Sequence, residues 1–130
     1  MLYPKDAFTP EHLEYTEELY HRGVFLYGLG KYADAIRNFD KAIENCEKVN
    51  DERNLALSLY NKGYSLGNLE EYEKSINCFN EAIERYYKIK ESNNHYFFDI
   101  ADAWRNKGYA IAMMDYKDNH KDADDCLNRA

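Results

Sequence analysis

From Pro10 onward, apolar residues return every three or four positions. Leu19, Leu26, Ile36, Phe39 and Ile43 trace this spacing first, and Leu55, Leu59, Leu66, Ile76, Phe79 and Ile83 trace it again. This is the spacing of one face of an α-helix. Strand-like runs of alternating β-branched residues are absent, and prolines stand only at positions 4 and 10, so the chain is predicted all-α. Thr9 and Pro10 form a helix start: the hydroxyl accepts an early backbone N–H, and proline lacks one. Phe8 and Leu13 fit a hydrophobic staple around it. Breaks are predicted at GLGK (28 to 31), VNDE (49 to 52), Leu69 to Glu71, ESNN (91 to 94) and Tyr116 to His120, where glycine, asparagine or aspartate is available. The expectation is six helices in three pairs.

The chain repeats itself. A shift of 40 residues places Leu19 on Leu59, Tyr20 on Tyr60, Gly23 on Gly63, Leu26 on Leu66, Tyr32 on Tyr72, Ala35 on Ser75, Phe39 on Phe79 and Ala42 on Ala82. A further shift of 45 carries Leu59 to Trp104, Gly63 to Gly108, Tyr64 to Tyr109 and Leu66 to Ile111. Helical pairs repeating at a fixed period indicate a solenoid, in which stacking covers faces that no unit can cover alone.

A glycine inside a helix costs about 1 kcal/mol relative to alanine, so one at an equivalent place in each repeat needs a compensating contact. Gly23, Gly63 and Gly108 share a stripe with Leu19 and Leu26, Leu59 and Leu66, and Trp104 and Ile111. That stripe is predicted to meet a small residue of the next helix (Ala35, Ser75 or Ala123), letting the backbones approach closely. Phe39 and Phe79 would fill the space beside the crossing.

These residues resemble the tetratricopeptide repeat. The matching positions are Leu19, Gly23, Leu26, Ala35, Phe39 and Ala42, then Leu59, Gly63, Leu66, Ser75, Phe79 and Ala82, and in a looser third copy Trp104, Gly108, Ile111, Ala123, Leu127 and Ala130. The resemblance implies a right-handed α-solenoid of three antiparallel hairpins: a lead-in over 1–9 and repeats over 10–50, 51–92 and 93–130. Three departures stand out. Arg22, Lys62 and Lys107 replace the usual leucine before the glycine, as half-buried stems with the charge in water. No proline ends the second helix, which accounts for a period of 40 in place of about 34. The third copy needs extra residues near Tyr116 to His120 to reach Ala123.

Beside the packing stripe runs a second one: Tyr20, Val24 and Tyr27; Tyr60, Tyr64 and Gly67; Arg105, Tyr109 and Ala112, with Asn61 and Asn106 next to it. The resemblance implies that it lines the concave side, where the family receives peptides or helices of other proteins. The candidate groove is therefore Tyr20, Val24, Tyr27, Tyr60, Asn61, Tyr64, Arg105, Asn106 and Tyr109. Tyrosine offers broad contact at low entropy cost, asparagine holds an extended peptide by its amide and carbonyl, and Arg105 matches a carboxylate. The competing station for each tyrosine is between neighbouring repeats. The family's lysine and asparagine clamp for C-terminal carboxylates is disfavoured, because Tyr20 and Val24 stand where the first repeat needs it.

Composition narrows the classes further. Net charge of -7 without a basic cluster argues against nucleic acid, and the missing 18-residue apolar run argues against a membrane span. With no secretory leader pattern, the expected compartment is the cytoplasm. Cys46, Cys78 and Cys126 lack zinc-ligand spacing and read as reduced structural thiols. His12, His21, His95 and His120 are scattered, and no nucleophile elbow, phosphate loop or HExxH is present, so neither catalysis nor a cofactor or metal is expected. The acidic stretch 115 to 125 lacks the glycine and ligand spacing of a calcium loop. A protein-binding adaptor is the leading reading. A homo-oligomer joined through uncovered repeat ends, with Leu2, Tyr3 and Phe8 as contributors, is the other.

Overall fold

The computed structural model describes the backbone over residues 10–89 and 96–129, and side chains over 14–89 and 96–120. The described residues form five helices: α1 (Pro10–Gly28), α2 (Tyr32–Val49), α3 (Glu52–Asn68), α4 (Tyr72–Lys88) and α5 (Phe97–Arg129). Each packs on the next in chain order, and α3 also touches α1 and α5 across the stack. The described residues are all-α, as the periodicity predicts. The Thr9 cap, the Phe8–Leu13 staple and the ESNN break fall outside them.

The turns show why the helices stop. After α1, Gly30 takes φ 76°, and the Lys31 N–H returns to Leu26 O at 2.9 Å. One repeat later Glu70 takes φ 62°, and the Glu71 N–H returns to Leu66 O at 3.0 Å. Between α2 and α3, Asn50 takes φ 57°, and Asp51 caps α3 by accepting the Asn54 N–H at 3.1 Å. Every one of these stops carries a left-handed residue.

The break predicted at Tyr116 to His120 is not there, and α5 runs straight through it to Arg129. No residue in that segment adopts a positive φ. Asparagine and aspartate tolerate a helix interior at modest cost, and neither glycine nor proline stands there to end it. His120 Nδ1 instead lies 2.8 Å from Tyr116 O, and its ring stacks on that of Tyr116 with centroids 4.1 Å apart. The third copy is therefore one long helix where a hairpin was expected. The expectations for Ala123, Leu127 and Ala130 concern side chains outside the described residues.

Two of the three glycines have the expected neighbour. A Cβ on Gly23 would stand 2.5 Å from the Phe39 ring, and one on Gly63 would stand 3.0 Å from Phe79 and 3.2 Å from Cys78. Ser75 Oγ donates to Gly63 O at 2.6 Å, so α3 and α4 do meet at the small residue. The glycine seats a phenylalanine ring as much as it brings backbones together. Among the described residues, a Cβ on Gly108 would meet nothing within 4 Å, and Trp104 and Ile111 beside it are 49% and 43% exposed. Because α5 continues to Arg129, no helix among the described residues returns to cover that stripe. The core is instead built by Leu19, Ala35 and Phe39 in the first hairpin and by Leu55, Leu59, Leu66, Phe79, Ala82 and Tyr86 in the second, with Ala103 and Ala110 facing in from α5.

The three departures from the leucine position behave differently. Lys62 is half-buried and reaches Asp40 on α2 at 2.7 Å, while Lys107 lies 4.7 Å over the Trp104 ring. Burial lowers the Lys62 pKa, but the hydrogen bond and charge of Asp40 outweigh it and the net shift is upward. Arg22 is exposed and pairs with Glu18 on its own helix.

Candidate interaction face

Tyr20, Val24 and Tyr27 on α1, Tyr60, Asn61 and Tyr64 on α3, and Arg105, Asn106 and Tyr109 on α5 lie on the three helices that meet across the stack. They are joined by a repeated bond. The Asn61 side-chain amide donates to the Tyr20 hydroxyl at 3.2 Å, and that of Asn106 donates to the Tyr60 hydroxyl at 2.8 Å. A third copy uses Asn68, which donates to the Tyr27 hydroxyl at 3.3 Å. Tyrosine on one repeat thus clasps asparagine on the next.

The asparagines are also anchored from below. The Asn61 amide donates to Leu57 O at 2.9 Å, and that of Asn68 to Tyr64 O at 2.9 Å. A primary amide has two N–H groups, so Asn61 and Asn68 spend both within the protein and keep only the carbonyl. The two-sided peptide grip expected of Asn61 is reduced to an acceptor.

Burial raises the pKa of the clasped phenols. Tyr20 and Tyr60 are shifted upward by desolvation, against the lowering influence of their asparagines. Tyr27 is pushed up to about 12 by desolvation and by the neighbouring Tyr64, whose ring lies 5.3 Å away. These hydroxyls are neutral at physiological pH. Having accepted an asparagine N–H, Tyr20 and Tyr60 each retain a proton to donate, while Tyr27 is also hydrogen-bonded to Tyr64.

The second member of each triplet faces outward. Val24 and Tyr64 are each 38% exposed and Tyr109 is 63% exposed, forming a row across α1, α3 and α5. Arg105 is exposed on the α5 end, where it bonds Asp102 at 2.8 Å. The candidate set thus divides into a half-buried clasp and an open row. Asn68 escaped the sequence reading, although its signal was available: Tyr20 and Asn61 are separated by 41 positions, as are Tyr27 and Asn68. Among the described residues, no group of three His, Cys, Asp or Glu side chains could hold a metal, and no helix is long and apolar enough to cross a membrane.

Stacked helical hairpins tied face to face in this way define an α-helical repeat protein. The tetratricopeptide repeat family model matches residues 15–88, more than half of the chain, and the chain belongs to that family. Proteins of this family are interaction modules that bind other proteins. No curated protein and no solved structure matches the chain.

Proposed function

We propose that this protein binds an extended or helical segment of a partner protein along the face formed by α1, α3 and α5, without catalysing a reaction. The observation that carries this reading is the exposed row Val24, Tyr64 and Tyr109, set beside half-buried clasps that tie each helix to the next across the stack. Preorganised aromatic contacts of this kind bind with little entropy loss. The Asn61 carbonyl offers an acceptor to a peptide N–H, and Arg105 offers a cation at the α5 end. The test is selection of binding peptides from a random display library. Val24→Glu and Tyr64→Ala are each expected to weaken the selected peptides by about tenfold or more, with the helical circular dichroism spectrum retained. Affinities indifferent to both substitutions would show the reading to be wrong.

A second reading, self-association, is favoured by the open stripe of Phe97, Trp104 and Ile111 on α5, all exposed. Sedimentation over a wide concentration range separates the two, since a monomer at every concentration excludes assembly.

A further inference from the structure

The first and second repeats differ at the third position of the stripe on this face, where Tyr27 gives way to Gly67. In the first, the Tyr27 ring stands between Tyr32 and Tyr64, with centroids 5.4 Å and 5.3 Å away, and its hydroxyl takes the Asn68 amide. One repeat on, Tyr32 becomes Tyr72 and Tyr64 becomes Tyr109, so both flanking rings are kept. Tyr27 becomes Gly67, and its donor Asn68 becomes Met113. Ring and donor have been lost together, and a hollow of about 470 Å³ opens there, walled by Tyr64, Tyr72, Asn106 and Tyr109 and floored by Phe79. That volume falls within the range of small-ligand sites, roughly 300 to 1,000 Å³.

We infer that this hollow receives an uncharged aromatic side chain of a bound peptide, which takes the place that Tyr27 fills in the first repeat. The inference rests on the proposed peptide-binding face and names what it recognises. Met113, standing where the clasp donor was, has no N–H to give a hydroxyl, but its thioether packs well against an aromatic ring. A phenylalanine therefore suits the hollow at least as well as a tyrosine. The charged side chain on its wall is Glu70, bonded to Lys117 at 2.7 Å, and no Lys or Arg among the described residues lines the hollow to pair with a ligand carboxylate. Glu70 and Tyr72 also border an adjoining depression lined by the carboxylates of Glu70, Glu71, Glu73 and Asp118 against the two lysines Lys74 and Lys117. Its excess of negative charge favours a lysine or arginine next to the inserted ring.

The test uses the full chain with three capped dipeptides, N-acetyl-Phe-Lys-amide, N-acetyl-Tyr-Lys-amide and N-acetyl-Leu-Lys-amide, titrated while backbone amide NMR shifts are followed. The two aromatic probes should move the Gly67, Tyr72 and Asn106 amides, and the leucine probe should bind about tenfold more weakly. Gly67→Tyr places a ring in the hollow from within. A Cβ at Gly67 meets only Ser75 Oγ at 3.5 Å, an ordinary contact. That variant should lose the aromatic shifts, and Met113→Phe, which fills the hollow from the opposite wall, should do the same. Equal binding of the leucine probe, or aromatic binding that survives both filled variants, overturns the inference. Library peptides that lose affinity with Val24→Glu but tolerate Gly67→Tyr would overturn the hollow while leaving the binding face intact. Peptides indifferent to Val24→Glu and Tyr64→Ala would remove the face itself.

Discussion

Asn106 on α5 donates its side-chain amide to the hydroxyl of Tyr60 on α3 at 2.8 Å, across 46 positions of sequence. The bond ties the last helix to the repeat before it, as Asn61 ties α3 to Tyr20 on α1. A part-buried hydrogen bond contributes about 1 kcal/mol net. Tyr60→Phe should therefore lower stability by about that amount, a fall of about 4 °C in melting temperature for a chain of this size. In a double-mutant cycle with Asn106→Ala the two losses should be less than additive, by about 0.5 to 1 kcal/mol, in urea denaturation.

The three aligned glycines should answer alanine with opposite signs. At Gly108 the new methyl meets open space, and the helix gains up to about 1 kcal/mol from the better helix former. At Gly23 the methyl collides with Phe39, which is fully buried and unable to swing away, so overpacking of about 1 to 3 kcal/mol exceeds that gain. Gly63→Ala should fall between them. Thermal unfolding of the three variants side by side gives the order.

A straight α5 makes a contrast between equivalent residues. Leu59 is buried, and Leu59→Ala should cost about 2 to 5 kcal/mol. Its counterpart Trp104 lies on the uncovered stripe, and Trp104→Ser should change stability by less than about 1 kcal/mol at low protein concentration. A loss as large as that of Leu59→Ala would mean that something covers the stripe.

Stability should decline in alkali, with a definite sign. Burial pushes the Cys46 thiol from 9.0 up to about 12 and the Cys78 thiol from 9.0 up to about 11. Both folded values lie above the unfolded ones. Their contribution is therefore whole below about pH 9 and is lost as pH climbs toward about 11 and 12, where the unfolded thiols ionise first. Tyr27 and Lys62, also raised on folding, decline in the same direction at higher pH. Each thiol contributes a slope of about 1.4 kcal/mol per pH unit within its window. Replacing Cys46 and Cys78 by alanine should flatten the fall in urea stability just above about pH 9, whatever it does to stability at neutral pH.

Much of this protein could be read without coordinates, because helical periodicity and self-similarity are local properties of the chain. The spacing of Leu19, Leu26, Leu59 and Leu66 determined the helical faces, and Gly30 and Asn50 marked real ends because each can turn left-handed at low cost. Opposite Gly23 and Gly63, the neighbouring helix contributes the rings of Phe39 and Phe79, residues already matched by the 40-residue shift. Contacts between repeats were a different matter. Whether Tyr20 faces solvent or Asn61 depends on how two helices 41 positions apart are set against each other, and a stripe pattern carries no such information. The same holds for Gly108 and Trp104. Their residue types match the buried stripe of the earlier repeats, yet their exposure was decided by a segment beyond them, Tyr116 to His120, which supplies no left-handed residue and lets α5 run on. Burial belongs to a pair of surfaces, and the sequence of one surface names only half of that pair.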